Sequence, residues 1–386
     1  MQRKLVICSA LLAGIIGCAS LSQTQKEIGT DPTDLAALRA VYSSGDKLKW
    51  PKPVIDSSVE ATYQEIGNLP PIVFPKDNPT NPAKVLLGKY LFYDPRLSVS
   101  GQVACASCHD PQLGWGDGKR VAFGHDRKLG ARNAMTLWNT AYYESLFWDG
   151  RATSLEDQAR FPIQDHLEMN ESVEAMEKRV QQYRGYTAMF QEAFGDSTID
   201  RDRIFKAIAT FERTIVSPKS RFDLFINGKA DLLTDQELTG LHLFRTKAGC
   251  VNCHNGGLFA DNQFHNDGQT LFASVNEDLG LYNVSGNTQD VGKFKTPSLR
   301  EVTNTGPWMH NGNFPTLKDV LFLYNLGNPA PIPARYKGER DHLMPKTSPL
   351  LKKLNMTDQE INAVIAFLGS ITTTPRRVNP PQDFPQ

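Results

Sequence analysis

Two cysteine motifs contain the residues of this sequence that are best placed to do chemistry. Residues 105–109 read Cys-Ala-Ser-Cys-His, and residues 250–254 read Cys-Val-Asn-Cys-His. This pattern is the attachment signature of c-type haem, in which both thiols bond to the porphyrin and the adjacent imidazole ligates the iron. The sequence therefore predicts two covalently bound haems. The attachment residues are Cys105, Cys108 and His109 for haem 1, and Cys250, Cys253 and His254 for haem 2.

Two other uses of these four cysteines explain the pattern less well. Two disulfides would suit an exported chain, but they do not require a histidine directly after each cysteine pair. A zinc site built from four cysteines has no use for those histidines either. Covalent haem attachment is the interpretation that uses both the cysteine spacing and the histidines.

The composition is that of a neutral globular protein. The chain has 386 residues, of which 42 are Lys or Arg, 42 are Asp or Glu, and 40% are hydrophobic. A balanced charge gives no electrostatic reason to bind nucleic acid. No apolar run approaches the roughly 20 residues of a membrane-spanning helix. At ~150 residues per domain, the apolar content is sufficient for two cores.

The N-terminal pattern predicts export. Arg3 and Lys4 precede an apolar run over residues 5–17, which is typical of a cleaved secretory signal. The run ends Ile-Ile-Gly-Cys at 15–18, which resembles a bacterial lipoprotein cleavage box, so we expect lipidation at Cys18. The alternative is an ordinary signal peptide with an incidental cysteine. The expected location is the periplasm, with the membrane contacted only through the N-terminal lipid.

Helix signals recur before both haem motifs. A helix with Pro82 in its first turn is predicted over 82–92, and a capping box at 234–237 opens another helix. A third capping box at 357–360 opens a terminal helix. Periodic apolar residues also predict helices over 171–194 and 201–216, and no clear strand run is present.

These elements predict an all-α protein of two cytochrome c-like helical domains with long haem-covering loops. The order helix, loop, Cys-x-x-Cys-His occurs twice, which indicates an internal repeat. The expected organisation is a signal at 1–17, a tether and N-terminal arm at 18–75, a haem 1 domain at 76–225, a haem 2 domain at 226–372 and a Pro-rich tail at 373–386.

The stretch around the two motifs resembles the bacterial di-haem cytochrome c peroxidase family, which includes the MauG-type enzymes. The resemblance covers roughly residues 75–372 and rests on Arg-Asn-Ala at 132–134, Phe-Trp-Asp-Gly-Arg at 147–151 and Thr-Gly-Pro-Trp-Met-His-Asn-Gly at 305–312. It implies reduction of hydrogen peroxide to water at haem 1. Electrons would reach haem 2 from a small periplasmic cytochrome c or cupredoxin. Family members are often homodimers, which makes a homodimer a further expectation.

The resemblance implies catalytic roles for three residues. Glu168 would move a proton between the peroxide oxygens, which suits a carboxyl in an apolar pocket with a raised pKa. Gln158 would be its neutral hydrogen-bonding companion, and Trp148 would pass electrons between the haems. By residue type alone, Glu168 is more often a helix cap that faces water, and Trp148 is normally a core side chain.

The resemblance also implies metal ligands. His125 would ligate haem 1 on the distal side at rest, although some family members keep that position open, and a lone loop histidine is usually solvated. Tyr324 matches the sixth ligand of haem 2, with Met344 and Met309 as alternatives. A calcium ion would be held by Asn133, Thr305 and Pro307, through oxygen atoms that suit Ca²⁺.

Two other functions remain open at this point. Tyrosine ligation lowers the potential of haem 2 and favours a MauG-like oxidase that modifies a protein or an organic substrate. A di-haem chain without peroxide chemistry would be an electron-transfer cytochrome.

Overall fold

The computed structural model describes residues 34–374 and 378–386. The predicted signal at 1–17 and the lipidation candidate Cys18 lie outside these residues. Within the described part of the chain, none of the helices combines the length and the apolar character needed to cross a bilayer.

The described residues are rich in helix and contain little sheet, which confirms the predicted helical class. The α-helices are α1 (Leu35–Tyr42), α2 (Pro82–Tyr93), α3 (Leu155–Gln164), α4 (Val173–Gln182), α5 (Arg184–Phe194), α6 (Arg201–Glu212), α7 (Arg221–Phe225), α8 (Asp235–Arg245), α9 (Tyr282–Ser285), α10 (Leu317–Asn325) and α11 (Asp358–Ser370). Strands β1 (Phe264–Asn266) and β2 (Lys293–Lys295) pair antiparallel. Three-residue strands are too short to leave an alternating pattern in the sequence.

Side-chain caps set the beginnings of the helices that precede the haem motifs. The Asn81 side chain accepts a hydrogen bond from the N–H of Lys84, and Pro82 occupies the first turn of α2. Helix α8 begins after Thr234 with a reciprocal capping box to Glu237. A cap of this kind stabilises a helix by about 1 kcal/mol. Helix α11 begins in the same way after Thr357, so all three predicted starts are confirmed.

Two predicted segments differ in detail because of tertiary contacts. The segment 171–194 forms two helices, since Tyr183 between them is extended and its ring lies 3.8 Å from the Arg96 guanidinium. The segment 201–216 leaves the α-helix after Glu212. Helix α7 was not predicted from the sequence, and it is held by Phe222 and Phe225, which are fully buried.

Two separate hydrophobic clusters enclose the two motifs. The first contains side chains of α2 and of α4 to α6, with Cys105 packed against it. The second contains side chains of α7, α8 and α11, with Cys250 packed against it. Leu38, Tyr42 and Trp50 from the predicted N-terminal arm are buried in the second cluster.

The same helix crossing occurs in both clusters. Helices α2 and α6 cross where a Cβ on Gly88 would lie 1.9 Å from the carbonyl oxygen of Ala207. Helices α8 and α11 cross where a Cβ on Gly240 would lie 1.9 Å from the carbonyl oxygen of Ala363. Each crossing therefore requires glycine on the helix that leads into a haem motif.

The C-terminal tail packs on the first cluster. The rings of Phe384 and Tyr90 meet edge to face, and the Arg96 guanidinium donates to the carbonyl of Pro385. The N–H of Gly185 donates to the carbonyl of Gln386 at 2.8 Å. Composition alone hides this packing, because it depends on one aromatic ring and on main-chain contacts.

We expect Gly88→Ala to destabilise the protein by about 1–3 kcal/mol, the usual cost of forcing a methyl group into a packed crossing. The measurement is the thermal unfolding midpoint of the haem-loaded protein. Gly369→Ala in α11 is the control, because no atom lies within 4 Å of its added Cβ. A midpoint for Gly88→Ala equal to that of the control would contradict the close crossing.

Candidate functional site

Both motif histidines are held in one orientation by a backbone carbonyl. The Nδ1 atom of His109 lies 3.0 Å from the carbonyl oxygen of Trp115, and that of His254 lies 3.0 Å from the carbonyl oxygen of Phe259. A carbonyl can only accept, so Nδ1 carries the proton and Nε2 presents its lone pair. Burial lowers the pKa of both imidazoles and keeps them neutral. This is the usual arrangement of a metal-ligating histidine.

The cysteines and histidine of each motif line one cavity. Each motif forms a 3₁₀ turn, Cys105–Ser107 or Cys250–Asn252. The N–H of each histidine donates to the carbonyl of the first cysteine of its motif, at 3.0 and 2.8 Å. None of these four cysteines forms a disulfide with another described residue, and the cavities measure about 660 and 210 Å³. A pair of thiols beside an oriented imidazole fits a c-type haem in each cavity.

Glu168 and Gln158 line the cavity of the first motif. Gln158 belongs to α3, and Glu168 follows that helix after a turn closed by its N–H to the Asp165 carbonyl at 3.0 Å. Burial raises the pKa of the Glu168 carboxyl to about 7, with a smaller increase from Asp165 and an opposing effect of Arg151. A carboxyl that titrates near neutrality can accept a proton and return it.

His125 lies beside the first cavity, while its neighbour Gly124 lines it. The N–H of His125 donates to the carbonyl of Glu168 at 2.7 Å. Its imidazole Nε2 lies 3.3 Å from a carboxylate oxygen of Asp126. The His125 loop and Glu168 are therefore directly joined, and the ligand role of His125 stays a prediction.

The second cavity is lined by two of the three candidates for the sixth ligand of haem 2. Tyr324 projects from α10 into this lining, and Met309 also contributes to it. Met344 lies elsewhere, packed against a small cluster that includes Phe272 and Leu343. Burial is the main cause of a raised pKa at Tyr324.

The three candidate calcium ligands all line the second cavity. Asn133 lines both cavities, while Thr305 and Pro307 line the second. The Asn133 amide nitrogen donates to the carbonyl of Lys119 at 2.9 Å, which leaves its side-chain oxygen as the atom suited to a cation. Calcium binding stays a prediction.

Comparison with known proteins agrees with this pair of cavities. The family described as di-haem cytochrome c peroxidase matches residues 82–231. Cytochrome-c peroxidase IdrP1 of Pseudomonas sp. (strain SCT) is 37% identical over 339 residues, which cover 80% of this chain and 86% of that protein. The chain belongs to the di-haem cytochrome c peroxidase family. It is accordingly an oxidoreductase with two c-type haems.

MauG-type members of the family are also similar to this chain. The methylamine utilization protein MauG of Methylorubrum extorquens is 38% identical over 327 residues, which cover 84% of this chain and 88% of MauG. A crystal structure of a MauG-like protein associated with microbial copper homeostasis superposes with a TM-score of 0.69 at 31% identity. That match covers 79% of this chain and 93% of the other.

The two cavities of this peroxidase-family chain share one set of lining residues, which we call the wall. The wall consists of Asn133, Met135, Thr136, Tyr143, Trp148 and Lys295. The indole N–H of Trp148 donates to the carbonyl of Asn133 at 3.0 Å. The carbonyl of Trp148 accepts from the N–H of Lys295 at 2.8 Å. Trp148 is therefore fixed between the two haem sites by hydrogen bonds at both its ring and its backbone.

An ion-pair network holds the loop that carries Trp148. Asp149 is buried and pairs with Arg132 at 2.6 Å and with Arg151 at 2.9 Å. Arg132 also pairs with Asp278 at 2.6 Å. Buried charges are tolerated when each has partners of the opposite sign, so this network can orient the indole.

Sequence analysis missed two buried ionisable residues of the site. Glu212 on α6 lines the first cavity, and burial raises the pKa of its carboxyl to about 8. Lys295 belongs to the wall, and burial lowers the pKa of its amine to about 7. Glu212 follows Ile208 by four residues, at the edge of the apolar stripe of α6, so the helical period was a signal that could have found it. Lys295 follows another lysine by two residues, and that pattern does not distinguish it from a solvated residue.

We expect purified protein to contain two haems per chain that stay attached in acidified acetone. Replacing Cys250 and Cys253 together by serine removes both thioether bonds of haem 2 and should leave one covalent haem, counted by the pyridine haemochrome spectrum. The equivalent change at Cys105 and Cys108 is the matched comparison. Two covalent haems in either double variant would contradict the assignment.

Proposed function

We propose that this protein reduces hydrogen peroxide to water, with electrons from a small periplasmic cytochrome c or cupredoxin. The observation that carries the proposal is Glu168, a half-buried carboxyl that lines the cavity of the first haem motif and whose pKa is raised to about 7 by desolvation. The c-type haems would supply iron that binds the oxidant and passes electrons. The reaction consumes one peroxide, two electrons and two protons and releases two waters.

The chain's own contribution at haem 1 is proton movement. Glu168 would accept a proton from one peroxide oxygen and deliver it to the other, so that the departing oxygen leaves as water. Gln158 would orient the peroxide as a neutral hydrogen-bonding group. Because Gly124 and the loop at His125 adjoin Glu168, we further propose that His125 occupies the open position at rest and that movement of its loop admits peroxide.

Trp148 would carry electrons between the two haems. Its indole belongs to the wall and is the largest aromatic side chain that lines both cavities. Tunnelling rates fall steeply with distance, so an oxidisable ring at this position shortens each step. The indole N–H donates to the carbonyl of Asn133, and this hydrogen bond would stabilise the positive charge of an oxidised indole.

The organisation of the chain is proposed on similar grounds. The two hydrophobic clusters and their matching helix crossings support a haem 1 domain at 76–225 and a haem 2 domain at 226–372, with loops that cover the haems. Calcium at Asn133, Thr305 and Pro307 would brace the wall. Export as a periplasmic lipoprotein through Cys18 and assembly as a homodimer complete the proposal.

Glu168→Gln should lower the second-order rate constant for reaction with peroxide by about 100-fold or more, because acid–base catalysis contributes 10²–10⁴-fold. Stopped-flow absorbance of the half-reduced protein measures this rate. The control is Glu192→Gln on the exposed face of α5. Unchanged peroxide reactivity in Glu168→Gln would refute the proton-transfer role. Absence of turnover by the unmodified protein with any small cytochrome or cupredoxin would reject the peroxidase proposal.

A MauG-like oxidase is the second candidate, and Tyr324 is the observation that favours it. A phenolate ligand stabilises higher iron oxidation states and would let haem 2 retain an oxidising equivalent. This function predicts a long-lived oxidised state after peroxide addition, in place of rapid turnover with a donor protein.

We expect Tyr324→Phe to change the electron paramagnetic resonance spectrum of the oxidised protein, because haem 2 would lose its sixth ligand. Met309→Leu and Met344→Leu should leave the spectrum unchanged. The same spectrum in Tyr324→Phe, together with a change in Met309→Leu, would transfer the ligand role to the methionine.

A further inference from the structure

Lys295 is a buried amine without a partner. It ends β2, its N–H is bonded to Trp148, and only 2% of the residue is exposed. Among the described residues, its Nζ has neither a hydrogen-bond acceptor nor a carboxylate in an ion pair. Burial of a cationic group without an acceptor is costly. The described side chains therefore supply no anion to pair with the Lys295 amine.

The amine lies over the face of an aromatic ring. The Nζ of Lys295 lies 3.3 Å from the centre of the Tyr143 ring. The Tyr143 hydroxyl accepts a hydrogen bond from the N–H of Ser298 at 2.7 Å, which fixes the ring. A cation over a ring face is stabilised only partly, so Tyr143 holds the amine in place without neutralising its charge.

The second cavity has few other cationic side chains in its lining. Besides Lys295, the only described Lys or Arg that lines it is Lys352. The Lys352 side chain is 69% exposed and is paired with Asp56 at 2.9 Å. His265 also lines it but is bonded to Asp261 at 2.8 Å. The first cavity, in contrast, is also lined by Arg120, Arg132 and Arg151. An anionic group in the second cavity would therefore find one buried and unpaired amine.

We propose that Lys295 pairs with a carboxylate of the haem bound in the second cavity. The inference rests on the proposed function, since haem is an iron porphyrin with two carboxylate side chains. Lys295 would then be a cofactor-binding residue in the wall. A positive charge near a haem favours the reduced iron, which carries one positive charge fewer. Lys295 would thus raise the reduction potential of the haem at which donor electrons enter.

The test compares Lys295→Met with two matched variants of the full di-haem protein. Lys295→Arg keeps the charge at the same position. Lys293→Met removes a charge from the same strand, but Lys293 is partly exposed and paired with Asp290 at 3.0 Å. Midpoint potentials of both haems are measured by spectroelectrochemical titration, and electron paramagnetic resonance assigns each to its haem.

We expect Lys295→Met to lower the reduction equilibrium constant of haem 2 by about tenfold or more, which corresponds to about 59 mV for a one-electron couple. Lys295→Arg and Lys293→Met should keep the original potential. If Lys295 only filled space, Lys295→Met would not lower the reduction equilibrium constant of haem 2, because methionine fills the same space without a buried charge. Loss of haem 2 from Lys295→Met with full retention in Lys295→Arg would also support the ion pair.

Two results would overturn the inference. One is a Lys295→Met protein that keeps both haems with an unchanged potential at haem 2. The other is equal loss of haem 2 from the methionine and arginine variants, which would make the shape of lysine decisive and its charge irrelevant. Peroxide turnover of the unmodified protein is assayed separately, so failure of the peroxidase proposal is distinguishable from failure of this one.

Discussion

The hydrogen bond between each motif histidine and a backbone carbonyl is the constraint on which the rest of the site depends. It fixes the proton on Nδ1 of His109 and His254 and leaves Nε2 as the metal-binding atom. Each thiol pair lies within one turn of its histidine. These three residues would therefore together hold each haem, and the other lining residues of the cavity are free for other roles.

The wall is the part of the protein that the two haem cavities share. Five of its members lie within residues 133–148 and the sixth is Lys295. Hydrogen bonds join Trp148 to Asn133 through the indole and to Lys295 through the backbone. The surrounding ion pairs of Asp149 and Arg132 make the loop stiff. A rigid wall suits electron transfer, because a fixed distance between donor and acceptor keeps the tunnelling rate constant.

The repeated helix crossing explains how one chain forms two similar haem-binding units. In each, a glycine on the helix before the motif lets a second helix approach backbone to backbone. The two differ in what surrounds the haem. The first has Glu168, Gln158 and Glu212 around its cavity, and the second has Tyr324 and Met309. The helix crossings are alike but the cavity-lining residues differ. This difference agrees with the proposal that the first cavity binds the oxidant and the second receives electrons.

The sequence by itself determined the haem attachment, the helical class and the beginnings of α2, α8 and α11. These features depend on short-range patterns: the spacing of Cys105 and Cys108 before His109, and the capping residues Thr234 and Thr357. Local geometry decides them, so the sequence records them directly. The family resemblance added predicted roles for Glu168 and Trp148, and those roles stay proposals.

Only the tertiary structure decided which side chains share a cavity. The break at Tyr183 follows from the packing of its ring on Arg96, and the burial of Glu212 and Lys295 follows from contacts made by remote segments. It also distinguished Tyr324 and Met309, which line the second cavity, from Met344, which does not. Burial and charge pairing are sums over neighbours that are distant in sequence. A local sequence pattern therefore does not record the burial or the charge pairing of a residue, since both depend on neighbours that only the folded chain brings together.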